Sequence, residues 1–180
     1  MQDPELIQHL KNADRKAQEV LYERYSDRLF RLAFRYIRST VDAEDVLIVS
    51  FNKLLRGIPS FRAGGPGSLE AWMRRIVVNE SLMWLRKRHN FQLTESLDEN
   101  LPEPDLRQVS DAGAEDIYRA IAQLPIGYRT VFNLNTIEGY HHNEIAAMLD
   151  ISEATSRSQL FKAKAQLKKM LTREGFNYGT

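Results

Sequence analysis

The most constraining feature of the sequence is a stretch in which two short helical patterns are separated by a tight turn. In residues 139–149, Ile145, Met148 and Leu149 recur at helical spacing. Asp150 stands at the predicted turn, where Asp tolerates a left-handed backbone, and Ser152 is suited to cap the second helix. The pattern predicts a helix-turn-helix, although a plain helical hairpin produces a similar signal.

The second helix of this motif has two different faces. One is an apolar stripe of Leu160, Ala163, Leu167 and Leu171. The opposite face carries Arg157, Ser158, Phe161 and Lys162. In a major groove, Arg can donate two hydrogen bonds to guanine, Ser can donate or accept, and Phe can contact a thymine methyl group. The sequence therefore predicts a DNA-recognition helix, the alternative being a solvated helix over an ordinary core.

Charge is strongly segregated along the chain, although its net value is only +1. Residues 72–90 contain five Arg or Lys and one Glu, and residues 153–173 contain six and one. Between them, residues 92–113 hold six acidic residues and one Arg. Two basic modules flanking an acidic connector indicate a bipartite nucleic-acid-binding protein.

Composition and missing motifs exclude several classes of protein. The chain has no Cys, which excludes disulfides, thiolate metal sites and thiol nucleophiles. No run approaches the roughly 18 apolar residues of a membrane span, and the polar opening lacks the features of a signal peptide, so we expect a cytoplasmic protein without membrane insertion. The four His are scattered or adjacent, and no metalloprotease, serine-hydrolase or phosphate-loop motif occurs. We expect no enzyme activity, metal or cofactor.

The first part of the chain reads as a series of amphipathic helices. Residues 14–38 form one helix, or two if Ser26 and Asp27 interrupt it. The next helix follows Ser39 and Thr40, and Gly57 is expected to end it as a C-terminal stop. Residues 58–67 are rich in Gly and Pro and are expected to be a loop without regular structure. A further helix over 68–90 has a basic end.

The helix that ends at Gly57 is apolar on more than one side. Its core face is already covered by Val46, Leu47, Phe51, Leu54 and Leu55. Ile48 and Val49 nevertheless lie on the other side, beside Asp45 and Asn52. Such a helix is either fully buried or contacts a partner, and we favour a partner.

These elements predict an all-α fold. Residues 1–91 form one helical domain, and residues 114–180 form a four-helix domain that ends in the helix-turn-helix. Residues 92–113 lack periodicity and are expected to be a flexible acidic linker. The linker's acidity could mimic nucleic acid, or it could simply keep a tether solvated.

The order of these pieces resembles the extracytoplasmic-function (ECF) sigma factors, the small two-domain subunits that give bacterial RNA polymerase its choice of promoter. The resemblance rests on LYERYSDRLFRLAFRYIR, on DAED before an apolar helix, and on AWMRRIVVNESLMWLRKR. In the second domain it rests on LPIGYRTVF and on the helix-turn-helix. It implies an alternative sigma factor that contacts core RNA polymerase and promoter DNA, both as duplex and as melted single strand.

The resemblance implies three groups of contact residues. The largest-subunit clamp of the polymerase would be bound by Asp45, Ile48, Val49 and Asn52. The melted minus-ten strand would be bound by Lys53, Phe61, Arg62, Trp72 and Asn79. The minus-thirty-five duplex would be bound by Arg157, Ser158, Phe161 and Lys162. The sequence departs from the family at Ile48 and Val49, where a Gln-Glu pair is common, and at Ser156, where Val is common.

Two further expectations follow. The exposed apolar residues Ile48 and Val49 suggest that an anti-sigma factor covers this face in the free protein. A linker of about 22 residues, at roughly 3.5 Å each, reaches about 75 Å, enough to span two turns of DNA at about 70 Å. The competing hypothesis is an autonomous helix-turn-helix repressor, which would need two symmetric half-sites and would bind duplex DNA without polymerase.

Overall fold

The computed structural model describes residues 2–89 and 115–173, and within these residues every regular element is helical. The predicted all-α fold is therefore confirmed for the described part of the chain. Contacts divide the chain into two compact units, Met1–Asn90 and Phe91–Thr180. The predicted acidic linker, residues 92–113, lies outside the described residues.

The first unit contains four α-helices and a short 3₁₀ turn. They are α1 (Asp3–Lys11), α2 (Arg15–Ile37), α3 (Thr40–Gly57), the 3₁₀ turn (Ile58–Ser60) and α4 (Ser68–His89). Helices α2, α3 and α4 pack against one another, and α1 packs against α2 and the 3₁₀ turn. Helix α2 runs without a break through Ser26 and Asp27, because Tyr25 and Leu29 on either side of them belong to one buried stripe.

The second unit is built around its last helix. It contains α5 (Glu115–Gln123), α6 (Ile126–Phe132), a π-helical turn (Asn133–Ile137), α7 (His142–Leu149) and α8 (Glu153–Arg173). Helix α8 packs against α5, α6 and α7. The apolar core joins Ala120, Ile121, Leu124, Ala163, Leu167 and Leu171. Burying this stripe of α8 leaves its opposite face for solvent or a ligand.

A fully buried arginine supports the second unit from inside. The side chain of Arg129 is 1% exposed and donates to the carbonyl oxygens of Leu124 at 2.8 Å and Ala122 at 3.5 Å. These carbonyls belong to the end of α5 and the residue that follows it, where backbone acceptors lack helical donors. The guanidinium therefore satisfies the C-terminal end of α5 and ties α6 to it.

Three corners between helices use a left-handed backbone at residues other than glycine. Ala13 has φ 56°, Arg38 has φ 63° and Asp150 has φ 56°. They connect α1 to α2, α2 to α3 and α7 to α8, respectively. At the first of these corners, the Asp14 carboxylate accepts hydrogen bonds from the His9 ring and from the backbone N–H of Lys16, both at 2.9 Å. Those two bonds, the His9 bond above all, lower the pKa of Asp14.

Gly57 is glycine for a different reason from the predicted one. Helix α3 ends at Gly57 as expected, but Gly57 keeps a right-handed φ of −84° and the chain continues directly into the 3₁₀ turn, so no left-handed glycine cap ends the helix. The expected irregular loop over 58–67 is wrong for its first three residues. A Cβ at Gly57 would lie 2.9 Å from Cζ2 of Trp72. Glycine is therefore needed here because the indole of α4 packs directly against the backbone of α3.

Candidate nucleic-acid and protein-docking surfaces

The turn between α7 and α8 has the geometry of a helix-turn-helix corner. Asp150 adopts φ 56° and ψ 50°, and the N–H of Ile151 donates to the carbonyl of Ala146 at 3.1 Å. The hydroxyl of Ser152 accepts from the N–H of Thr155 at 3.0 Å, which caps the first turn of α8. The predicted left-handed turn and the predicted serine cap are both confirmed.

Helix α8 separates a buried stripe from an exposed face as its sequence predicts. Leu160, Ala163, Leu167 and Leu171 are buried. Arg157, Ser158 and Phe161 are exposed, and the Phe161 ring is 75% exposed. Lys162 is half-buried at the edge of this face. An aromatic ring left in solvent beside Arg157 is the combination expected of a helix that contacts another molecule.

Arg157 has a neighbouring acidic partner on the surface of α8. Its Nη2 lies 2.8 Å from Oε2 of Glu153, one turn earlier on the same exposed face. Both side chains are exposed, so water and salt weaken the pair. Arg157 can therefore exchange this carboxylate for a stronger acceptor without a large rearrangement.

A hydrogen bond inside the helix-turn-helix was missed by sequence reasoning. Nδ1 of His142, at the start of α7, lies 2.8 Å from the hydroxyl of Ser156 on α8. Ser156 is fully buried and directly precedes Arg157. The bond joins the two helices of the motif just beneath the exposed face. The available signal was the polar serine on an otherwise apolar stripe.

The candidate site for melted DNA in the first unit contains an aromatic pair. The ring centroids of Phe61 and Trp72 are 4.8 Å apart, with an interplanar angle of 34°. Phe61 is buried and Trp72 is half-buried, whereas Arg62 is exposed. The structure therefore brings Phe61 and Trp72 together at the junction of the 3₁₀ turn and α4, with Arg62 beside them in solvent.

The two polar residues predicted for this site stand on neighbouring helices. Asn79 is exposed on α4, two turns after Trp72 and on the same side. Lys53 extends from α3 to Oε1 of Glu80 at 2.5 Å. Sequence reasoning missed Glu80, because a pair 27 residues apart leaves no local pattern.

The exposed side of α3 is larger than predicted, and we call it the α3 face: Val41, Asp45, Ile48, Val49 and Asn52. All five are exposed, Ile48 by 59% and Val49 by 44%. Val41 was not predicted, although it shares their helical spacing. Tyr22 of α2 is also half-exposed, and its ring centroid lies 5.0 Å from that of buried Phe51. The alternative that α3 is fully buried is thus wrong.

Comparison with known families assigns both units. Residues 21–91 match the model described as Sigma-70 region 2, and residues 114–167 match Sigma-70, region 4. The chain is 30% identical over 176 residues to the ECF RNA polymerase sigma-E factor of Salmonella typhimurium, covering 90% of each chain. The chain belongs to the ECF sigma factors of bacterial RNA polymerase. Proteins of this family are DNA-binding regulators of transcription initiation.

Other similar proteins agree with this family and fold. The chain is 31% identical over 164 residues to the ECF sigma factor SigE of Mycolicibacterium smegmatis, covering 85% of this chain and 61% of the relative. It resembles the structure of CnrH in complex with the cytosolic domain of CnrY, with a TM-score of 0.55, 22% identity and coverage of 95% and 97%. It also resembles the sigma factor RpoE in complex with the anti-sigma factor NepR from Bartonella quintana, with a TM-score of 0.53, 21% identity and coverage of 86% and 96%.

In the part of the chain that the structure describes, we find no helix with the length and apolar character needed to cross a bilayer. The same residues hold no cluster of three or more His, Asp or Glu side chains placed to bind a metal ion.

Proposed function

We propose that this ECF sigma factor directs promoter-specific initiation through two separate DNA contacts and one polymerase contact. The observation that carries the proposal is the exposed face of α8, where Arg157, Ser158 and Phe161 project above a buried apolar stripe. The charges and aromatic groups of the first unit support the second DNA contact. The α3 face supplies the surface for polymerase.

The minus-thirty-five element is contacted as duplex by α8. Arg157 exchanges Glu153 for a guanine edge, Ser158 hydrogen-bonds to a base or phosphate, and Phe161 packs against a thymine methyl group. Lys162 contributes a phosphate contact at the edge of the helix. These roles agree with a helix whose first turns enter the major groove.

The minus-ten element is trapped as melted strand by the first unit. Trp72 offers an aromatic surface to a base, with Phe61 packed behind it, and Arg62, Asn79 and Lys53 supply polar contacts. Pulling one base from its stack requires a few kcal/mol, and stacking on an aromatic side chain returns about 1 to 3 kcal/mol per base. Trapping thus offsets opening at one position, and polymerase must supply the rest.

The α3 face binds the clamp of the largest polymerase subunit, with Ile48 and Val49 as apolar anchors and Asp45 and Asn52 as polar contacts. An anti-sigma factor covers the same face and holds the protein inactive. The exposed apolar side chains support this, as does the similar fold of RpoE, which was solved with the anti-sigma factor NepR. The site of action would then be the cytoplasm.

The first test is capture of core RNA polymerase from a bacterial lysate, followed by run-off transcription on a genomic promoter library. Stable capture with new start sites is the expected result. Tight duplex binding by the protein alone, without polymerase capture, would instead establish an autonomous helix-turn-helix repressor.

A second test concerns the α3 face. The double variant Ile48→Glu, Val49→Glu should weaken polymerase affinity at least tenfold, because it places two charges where an apolar contact is proposed. The matched control is Ile117→Glu, which adds a charge at a comparably exposed isoleucine of the second unit. Unchanged polymerase affinity in the double variant would contradict the docking surface.

A further inference from the structure

Lys53 and Glu80 form the closest ion pair described in the first unit, and it lies on the surface proposed to hold melted DNA. Nζ of Lys53 is 2.5 Å from Oε1 of Glu80, joining α3 to α4. Glu80 directly follows Asn79, one of the proposed strand contacts. The carboxylate side chain is only 10% exposed, whereas the lysine side chain is 47% exposed.

This difference in exposure keeps the two side chains paired. A carboxylate that loses its partner while shielded from water becomes an uncompensated charge, which is strongly unfavourable. Lys53 therefore stays with Glu80 when another anion approaches. An ammonium has three donors, and the pair uses one of them. The remaining donors stand at the partly exposed end of the side chain, where a nucleic-acid strand has access to them.

We propose that Glu80 is a positioning residue that fixes Lys53 on the strand-binding surface and cancels its net charge. Lys53 then contributes a directed hydrogen bond rather than general attraction for phosphate. The strand is consequently held more by base contacts at Trp72 and Asn79 than by charge. This inference rests on the proposed binding of melted DNA by the first unit. It explains how that unit distinguishes one base sequence from another, since a charge that attracts every strand equally is cancelled.

The test measures binding of the full-length chain to a short fluorescein-labelled oligothymidylate over a range of salt concentrations. Glu80→Gln keeps the shape of the side chain and removes its charge. It should raise affinity several-fold at low salt and steepen the salt dependence by about 0.7 in the log–log slope, the value for one additional phosphate contact on single-stranded DNA. A merely structural role for Glu80 would not change this slope.

Two controls separate Lys53 from a general charge effect. Glu70→Gln removes the same charge elsewhere on α4, where Glu70 pairs with Arg28 at 3.5 Å, and should leave the slope nearly unchanged. Lys53→Met combined with Glu80→Gln should return the slope to its wild-type value. Its affinity should be no higher than that of wild type, because the hydrogen bond from Lys53 is lost as well. A gain that persists in this double variant, or an equal gain in Glu70→Gln, would overturn the proposal.

A second measurement uses holoenzyme and the promoter found by run-off transcription. The ratio of affinities for the promoter strand and an unrelated strand should fall in Glu80→Gln, and an unchanged or higher ratio would overturn the inference. Failure of the wild-type holoenzyme to open any promoter would overturn the proposed function itself. Unfolding curves of Glu80→Gln establish whether the variant is folded. If it is not, the salt dependence of strand binding is measured on the double variant with Lys53→Met. A log–log slope different from that of wild type in the double variant contradicts the proposal.

Discussion

The two proposed DNA-contacting surfaces of this protein differ in how far their side chains are fixed before DNA binds. On α8, the residues proposed to contact duplex project into solvent, and the support beneath them is partly polar, as at Ser156. In the first unit, three of the residues proposed to contact melted strand are already packed or paired: Phe61 and Trp72 pack on each other, and Lys53 is paired with buried Glu80. A duplex groove accepts projecting side chains, whereas a flexible strand is captured best by groups that are already fixed.

The largest effect on stability is expected at Arg129, the buried arginine of the second unit. Arg129→Met removes the donor that satisfies the carbonyls of Leu124 and Ala122, and should lower the free energy of unfolding of this unit by about 2 to 3 kcal/mol. The measurement is urea denaturation of the full chain. Arg62→Met, at an exposed arginine of the first unit, is the control and should leave stability unchanged. A loss no larger than that of the control would show that the interior of the second unit does not depend on this polar group.

An intermediate effect is expected at the aromatic pair of the first unit. Gly57→Ala places a methyl group 2.9 Å from Trp72 and should displace the indole from Phe61. Overpacking of about 1 to 3 kcal/mol, offset by about 1 kcal/mol of improved helix propensity, leaves a net destabilisation of about 1 kcal/mol. Permanganate footprinting should show several-fold less promoter opening, while binding of the minus-thirty-five duplex is retained.

Gly64→Ala is the matched control for this change, because a Cβ at Gly64 would meet nothing within 4 Å. Normal opening by Gly57→Ala, together with an unshifted tryptophan emission spectrum, would contradict a role for the fixed aromatic pair.

The smallest effect is expected inside the helix-turn-helix. Ser156→Ala removes the hydrogen bond to His142 and should lower stability by about 0.5 kcal/mol, with a modest loss of duplex affinity. Ser158→Ala, two residues later on the exposed face, should leave stability unchanged and weaken only duplex binding. Thermal unfolding and fluorescence anisotropy measure the two quantities. Equal effects of the two substitutions on stability and on duplex affinity would contradict the different roles proposed for the buried and the exposed side of α8.

Local sequence patterns predicted much of the fold because they depend on residues close together in the chain. The period of Leu160, Ala163 and Leu167 defined the buried side of α8, and Ser152 and Asp150 defined its start. The exposure of Ile48 and Val49 followed in the same way, from a core face already filled by other residues. The roles of individual DNA-contacting residues stay predictions.

What the sequence did not predict depends on contacts between distant residues. Gly57 ends α3 as its sequence predicted, but the reason that the residue is glycine is the approach of Trp72 from another helix. Glu80 looked like an isolated acid in a basic helix until Lys53 was placed beside it. His142 and Ser156 are each unremarkable in their own segment, and only the packing of α7 on α8 gives them a common role.

The left-handed corners at Ala13, Arg38 and Asp150 carry a consequence for engineering this protein. An L-residue in that conformation gives up about 1 to 2 kcal/mol relative to a right-handed one. Glycine at such a position removes the steric conflict. It also raises the conformational entropy of the unfolded chain, which cancels part of the gain in stability. Ala13 lies outside every proposed contact. Ala13→Gly is therefore the substitution expected to stabilise the fold without changing which promoters the protein selects.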